Sequence, residues 1–77
     1  MDVVISRYRH YPRPARPGPA WYWNYEINCG AELLTADSPI EEKLWRSSAC
    51  GTLFEARRIA GKMKTRFGAE RIVETWK

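Results

Sequence analysis

The residues that could perform chemistry in this chain are few and widely spaced. His10 is the only histidine, and Cys29 and Cys50 are the only cysteines. A nucleophilic Cys–His pair can be drawn from them, but nothing in their spacing argues for one. The same three side chains show no CxxC or HxxxH spacing, so the sequence predicts no metal site.

Paired carboxylates and phosphate-binding loops do not supply a catalytic site either. Glu41 and Glu42 are adjacent on a predicted helix, so their side chains point in different directions and cannot act as an acid–base pair. The glycines are isolated from one another and form no phosphate-binding loop. We therefore expect a non-enzymatic protein that needs no cofactor.

The length of 77 residues predicts one small domain, 1–77, with a modest hydrophobic core. No apolar run reaches the roughly 18 residues needed to span a membrane, and the first residues do not resemble a secretory signal. A cytoplasmic location is the expectation. Cys29 and Cys50 are then expected to be reduced thiols in or near the core, with a disulfide as the alternative.

Charge is unevenly distributed along the chain, whose formal net charge is +4. Residues 1–20 contain four arginines and one acid, residues 53–77 contain seven basic residues and three acids, and residues 21–52 are net acidic. A polyanion is therefore expected to approach the two ends of the chain and to be repelled by its middle.

The first half of the chain predicts two strands and a loop. Residues 2–9 begin with β-branched side chains and read as a strand, although the sequence leaves open which face is buried. Four prolines within 12–19 exclude a helix and a central strand, so an extended loop is predicted there. Residues 21–27 alternate as a strand should. One face of that strand consists of Trp21, Trp23, Tyr25 and Ile27.

The middle of the chain is more ambiguous. Residues 28–30 contain the Asn and Gly typical of a tight hairpin turn, which predicts 31–36 as the returning strand. Ser38 as an N-cap, followed by a proline, predicts a short helix over about 39–47. The alternative interpretation makes 43–49 a third strand of a meander.

The longest predicted helix covers about 53–67. Thr52 with Glu55 three residues later forms a capping box, and Gly68 is placed to end the helix in a left-handed conformation. Its apolar face consists of Leu53, Ala56, Ile59, Ala60, Met63 and Phe67. A closing strand is predicted over 70–76, with Ile72 and Trp76 on one face. This order predicts an α+β fold: a small antiparallel sheet of three to four strands with one main helix across one face, and the short helix as a possible second one.

The outer face of the long helix is a candidate partner-binding surface. Its basic side chains recur at a spacing of four residues, and one aromatic side chain falls on the same side. The members are Phe54, Arg57, Arg58, Lys62 and Arg66. The functional interpretation is a surface for an acidic protein patch or for nucleic-acid phosphate. The alternative is a solvated face whose cations pair with the acidic middle of the chain.

A second candidate surface is the segment 7–16, which interleaves arginines with tyrosines. Its candidate residues are Tyr8, Arg9, Tyr11, Arg13 and Arg16. Guanidinium groups and stacking rings suit phosphates and unpaired bases, and they equally suit protein interfaces. The alternative is an ordinary crossover loop.

In size, composition and predicted fold, the whole chain resembles the small phage-encoded anti-CRISPR proteins, although no motif is shared. The resemblance implies a phage-borne inhibitor, monomeric or homodimeric, in the cytoplasm of the host cell. Its partner would be a host protein complex such as a CRISPR effector. Members that mimic DNA are acidic whereas this chain is basic, so the expected contact is an acidic protein surface, alone or together with its nucleic acid.

Two other hypotheses use the same surfaces. A three-stranded sheet followed by a helix is similar in element order to the arm-type DNA-binding domains of phage integrases, which implies direct DNA or RNA binding. Glu26 on the polar face of the second strand opposes such a role electrostatically. The remaining hypothesis is a protein-interaction module without a regulatory role.

Overall fold

A computed structural model describes residues 1–14 and 17–77. The bounds of its elements are β1 (Asp2–His10), β2 (Tyr22–Cys29), a 3-10 helix (Ala31–Leu33), α1 (Ile40–Arg46), β3 (Ser47–Cys50), α2 (Leu53–Phe67) and β4 (Arg71–Glu74). The predicted α+β class is confirmed, because α2 packs across a four-stranded sheet and α1 adds a second short helix.

The strands form one mixed sheet in the order β3-β2-β1-β4. β2 pairs antiparallel with β1 and with β3, as expected, whereas β4 pairs parallel with β1. The parallel pair follows from the length of α2, whose 15 residues carry the chain about 22 Å back along the sheet. β4, which follows α2, must then run in the same direction as β3, which precedes α2. β3 is itself parallel to β1, because both strands run antiparallel to β2.

The hydrophobic core lies between one face of the sheet and α2. Val3 and Ile5 of β1 are fully buried there, which settles the facing that the sequence left open. Ala56 and Ala60 of α2 are also fully buried, and their small side chains allow the helix to lie close to the sheet. The other buried members are Tyr25, Ile27, Cys29, Met63 and Ala69.

The predicted hairpin at 28–30 with a returning strand at 31–36 is wrong. β2 continues through Cys29, whose side chain is buried in the core, and Gly30 turns the chain with a φ of 66°. The 3-10 helix at Ala31–Leu33 follows, and the partners of β2 come from β1 and β3 instead. Pairing with distant segments thus overrides a local turn signal.

The region around α1 combines the two interpretations of the sequence. The short helix is confirmed at Ile40–Arg46, and a strand begins directly after it at Ser47. The predicted N-cap is wrong, because the Ser38 hydroxyl oxygen accepts the Thr35 N–H at 2.8 Å and does not cap the helix. Pro39 occupies the N-cap position without a side-chain hydrogen bond.

The prediction for α2 is confirmed at both ends. The Thr52 hydroxyl oxygen accepts the Glu55 N–H at 3.2 Å at its start. Gly68 ends the helix with a φ of 64°, and its N–H donates to the Lys64 carbonyl oxygen. Both signals act locally, which is why the sequence alone placed them.

The closing strand is shorter than the predicted 70–76, because β4 ends at Glu74. Ile72 is level with Val3 on the helix side of the sheet, and Trp76, which lies beyond the strand, packs against the core. Ile72 nevertheless remains 39% exposed, because β4 is an edge strand that α2 covers only in part.

Three further expectations concern the loop, the thiols and the membrane. The described residues of 12–19 belong to neither a helix nor a strand. Cys29 and Cys50 are both free thiols, the first buried and the second partly buried, and burial raises the pKa of the Cys29 thiol. Among the residues that the structure describes, no helix has the length and apolar character required to cross a bilayer.

Candidate binding surfaces

The far ends of β1 and β2 leave the sheet as a two-stranded ribbon. β3 pairs with residues 25–28 and β4 pairs with residues 2–5, so residues 8–10 and 22–24 pair only with each other. We call these two segments the ribbon. Because side chains alternate along a strand, the ribbon presents two different faces.

The ribbon face on the side of α2 leads into a cluster that we call the Arg–Trp stack. Its members are Arg7, Arg9, Trp21, Trp23 and Trp76. The Arg7 guanidinium carbon lies 4.4 Å from the ring centroid of Trp23 and 5.0 Å from that of Trp76. The Arg9 guanidinium carbon lies 4.8 Å from the ring of Trp21, and the rings of Trp21 and Trp23 meet edge to face at 5.0 Å. Contacts of this kind contribute about 0.5–1 kcal/mol at exposed sites, so they hold both guanidinium groups in place.

The parallel register of β4 brings Trp76 into the stack. Glu74 is level with Ile5, and the Thr75 N–H donates to the Ile5 carbonyl oxygen at 3.1 Å. Two residues further along both strands, Trp76 therefore reaches the level of Arg7, because parallel strands advance together.

The stacked arginines keep their hydrogen-bonding edges. Arg7 and Arg9 are both exposed, and within the described residues neither forms an ion pair with a carboxylate. An aromatic ring covers the face of a guanidinium group and leaves the N–H donors in its plane available. The Arg–Trp stack thus presents two ordered guanidinium groups, each of which can donate a pair of parallel hydrogen bonds to a carboxylate or a phosphate.

The opposite face of the ribbon carries polar aromatic side chains. The Asn24 amide donates to the Tyr8 hydroxyl oxygen at 2.9 Å, and the rings of His10 and Tyr22 lie 4.9 Å apart. Tyr8 and Tyr22 are 42% and 47% exposed. These rings are therefore open to a partner from the side that α2 leaves uncovered.

Two of the predicted residues of the arginine- and tyrosine-rich segment lie in the ribbon, and a third follows directly after it. Tyr8 and Arg9 lie on opposite faces of the ribbon, and Tyr11 is exposed just beyond it. Arg13 is also exposed. Arg16 lies outside the described residues.

A second surface, which we call the helix groove, lies between α1 and α2 and has a volume of about 260 Å³. Its lining residues are Leu44, Trp45, Ser48, Ile59, Lys62 and Met63. The lining is mainly apolar, with one cation at the rim. Ile59 and Met63 project from one side of α2, and Leu44 and Trp45 come from α1.

Large apolar side chains are exposed on α1, which borders the helix groove, and at the start of α2. Ile40 and Leu44, one turn apart on α1, are 74% and 69% exposed. Phe54, one of the predicted partner-binding residues, is 80% exposed. Trp45 is at the margin of exposure, and the Arg66 guanidinium carbon lies 4.2 Å from its ring centroid.

Two predicted arginines of α2 are held by acidic partners. Arg57 Nε donates to the Glu74 carboxylate at 2.8 Å, and Lys77 Nζ lies 2.7 Å from the same carboxylate. The hydrogen bonds from these two cations lower the pKa of Glu74 to about 2. Arg58 pairs with Glu55 inside α2, and this hydrogen bond lowers the pKa of the Glu55 carboxyl.

The other two predicted cations of α2 have no such partner. Lys62 and Arg66 form no ion pair within residues 1–14 and 17–77, and both lie on the surface of α2 beside Trp45. Lys62 thus lines the rim of the helix groove, and Arg66 covers the ring of Trp45 next to it.

Sequence reasoning identified part of each surface and missed the rest. The alternation of side chains along β1 and β2 could have identified Arg7, Trp21 and Trp23. Arg7 shares one face of β1 with Arg9, and the two tryptophans share one face of the predicted strand 21–27. Trp76 carries no local signal, because its place depends on the parallel pairing of β4. Leu44 lies on the predicted short helix, but its exposure depends on how α1 packs.

No group of three or more metal-ligating side chains comes together in the part of the chain that the structure describes. No protein family, no curated protein and no solved structure matches this sequence. The two surfaces of this small α+β fold are therefore the basis on which a function can be argued.

Proposed function

We propose that this chain is a non-enzymatic, phage-borne binding protein of the anti-CRISPR type, which inhibits a nucleic-acid-associated host complex by occupying one of its protein surfaces. The observation that carries the proposal is the helix groove, where exposed apolar side chains adjoin cations that lack acidic partners among the described residues. Trp, Arg and other large side chains of this kind supply most of the binding energy at protein interfaces.

The charge of the groove rim favours an acidic partner. Lys62 and Arg66 are exposed and form no ion pair in the described chain, and the chain as a whole carries a net charge of +4. Complementary charge accelerates encounter and orients the partner. An acidic protein surface with an apolar side chain at its centre fits this site best.

The aliphatic side chains favour a protein over nucleic acid at the groove. Ile40 and Leu44 each expose more than two thirds of their surface. Burial of such apolar surface against a partner contributes about 25 cal/mol per Å² to the free energy of binding. A phosphate backbone cannot provide that contribution, whereas an apolar side chain of a protein partner can.

Purified CRISPR effector–guide complexes of different types provide the direct test. We expect at least one complex to bind this protein and to lose target-DNA binding or cleavage when the protein is added. Leu44→Glu combined with Lys62→Glu should weaken that binding at least about tenfold, because it removes an apolar anchor and reverses a rim charge.

The matched control is Leu33→Glu combined with Lys64→Glu, which makes the same chemical changes at exposed positions outside the groove. This control should bind like the wild type, and circular dichroism should show that both double variants are folded. If both variants lose affinity equally, the helix groove is not the contact. If no effector complex binds or is inhibited, the proposed inhibitory function is wrong.

A further inference from the structure

The ribbon differs in chemistry from the helix groove. With their flanking residues, the two ribbon segments span 7–13 and 21–24. These residues are arginine, tyrosine, tryptophan, histidine, asparagine and proline, with no exposed aliphatic side chain. Arginine and aromatic side chains occur at protein interfaces as well, but two ordered guanidinium groups beside exposed planar rings match the alternating phosphates and bases of a single strand. We propose that the ribbon is a separate binding site for single-stranded nucleic acid.

The phosphates would bind at the Arg–Trp stack. Arg7 and Arg9 are two residues apart on one strand, so their backbones are separated by about 7 Å along the ribbon. Their guanidinium groups are held against Trp23, Trp76 and Trp21 at 4.4–5.0 Å. Because both guanidinium groups are already ordered, little side-chain entropy is lost when each donates a pair of hydrogen bonds to a phosphate.

The bases would stack on the exposed tyrosine rings. Tyr8 and Tyr22 lie on the opposite face, and Tyr11 lies at the tip with 53% exposure. The ribbon is only two strands wide, and residues 8–10 and 22–24 have no further strand beside them in the described chain. A single strand can therefore pass over a free edge and contact both faces.

Unpaired bases are required by this arrangement. The faces of bases in a duplex are already stacked on their neighbours, so exposed rings gain nothing from them, whereas each unpaired base can contribute about 1–3 kcal/mol by stacking. The nearest acid on the tyrosine face is Glu26, which is level with Ser6 and lies outside the ribbon segments. Glu26 lies on the opposite face of the sheet from Arg7 and Arg9. Glu74, which is level with Ile5 on the arginine face, is already paired with Arg57 and Lys77.

The test uses a fluorescent oligothymidine of about 12 nucleotides and the matched duplex, each titrated with the full chain at about 50 and 200 mM salt. We expect the single strand to bind at least about tenfold more tightly than the duplex. Arg7→Gln combined with Arg9→Gln should weaken binding at least about tenfold at the lower salt and reduce the magnitude of the salt slope by about 1.4, as expected for two lost phosphate contacts.

Two variants distinguish a built site from simple charge. Lys43→Gln combined with Lys64→Gln removes the same charge from two positions outside the ribbon that form no ion pair in the described chain, and should leave binding within about twofold of the wild type. Arg7→Lys combined with Arg9→Lys keeps the charge but loses the planar fork, and should bind clearly less well than the wild type. The lysine pair also serves as the second variant if the glutamine pair unfolds.

The proposal is overturned by any of four results. The first two are that the single strand does not bind at the lower salt, or that the duplex binds more tightly than the single strand. The third is that the ribbon and control variants lose affinity equally. The fourth is that polyglutamate displaces the oligonucleotide at equal charge concentration. The last result would assign the stack to protein carboxylates. Because Leu44 and Lys62 are not altered in these variants, failure here leaves the inhibitory function of the helix groove to its own test.

Discussion

At the scale of single residues, the partners of the basic side chains separate structural cations from candidate binding cations. Arg57 is held by Glu74 and ties α2 to β4, whereas Arg7 and Arg66 are held by tryptophan rings. A carboxylate occupies the donors of a guanidinium group, but a ring occupies only its face. The stacked arginines thus remain able to bind a further anion.

Glu74 gives a residue-scale prediction about pH. Its pKa is lowered from 4.5 to about 2 by Arg57 and Lys77, so its contribution to stability is full above about pH 4.5 and is lost as the pH falls toward 2. Glu74→Gln should therefore lower the thermal midpoint at pH 7, and its difference from the wild type should shrink as the pH is lowered from about 5 to 2.

Thermal unfolding followed by circular dichroism at several pH values measures this difference. Glu70→Gln is the control, because Glu70 is exposed and forms no side-chain ion pair in the described chain. A constant difference between wild type and Glu74→Gln across the acid range would show that the ion pairs do not stabilise the fold.

At the scale of elements, α2 contains one glycine that costs stability and one that provides it. Gly61 lies within the helix, and a Cβ added there meets no atom within 4 Å. Gly68 has equal space around it but adopts a φ of 64°, which disfavours any side chain. The same substitution should therefore have opposite effects at the two positions.

Gly61→Ala should stabilise the protein by about 0.5–1 kcal/mol, because alanine loses less backbone entropy in a helix. Gly68→Ala should destabilise it by about 1 kcal/mol, because the left-handed C-cap is strained for alanine. Urea denaturation measures both, and each variant is the control for the other. Equal signs for the two changes would contradict the helix boundary placed between residues 67 and 68.

At the scale of the whole molecule, the fold is a thin slab with principal extents of 41 × 30 × 16 Å. Its radius of gyration is 13.9 Å, above the roughly 11.5 Å expected for a compact domain of this length. The excess agrees with a ribbon that projects past the layer of α2. The extended shape gives a small chain room for two candidate binding surfaces without a larger core.

The two ends of the chain meet in the sheet, which makes the last strand essential to the fold. Removal of residues 71–77 exposes the edge of β1 at Val3 and Ile5 and takes Trp76 from Tyr25. We expect the thermal midpoint to fall by at least about 10 °C. Lys77→Gln, which removes one exposed ion pair, should lower it by only a few degrees. An unchanged midpoint after truncation would show that β4 contributes nothing to stability.

Local signals in the sequence predicted those parts of the fold that depend on neighbouring residues. The Thr52 cap, the apolar period of α2 and Gly68 act within one or two turns, and all three were predicted. Tyr8 and Arg9 of the ribbon were likewise named as candidates from the composition of 7–16, whereas Arg7 and Tyr22 were not. The strand predicted over 31–36 does not form, because Gly30 can turn the chain into a 3-10 helix as readily as into a hairpin.

The sequence by itself thus determined the elements and the types of side chain that each surface carries. Only the tertiary structure decided which of those side chains meet. The Arg–Trp stack depends on the pairing of β1 with β4, whose residues Asp2 and Arg71 are separated by 69 positions in the chain and joined by an ion pair. Such pairing is set by the direction in which α2 returns across the sheet, and no local pattern encodes that direction.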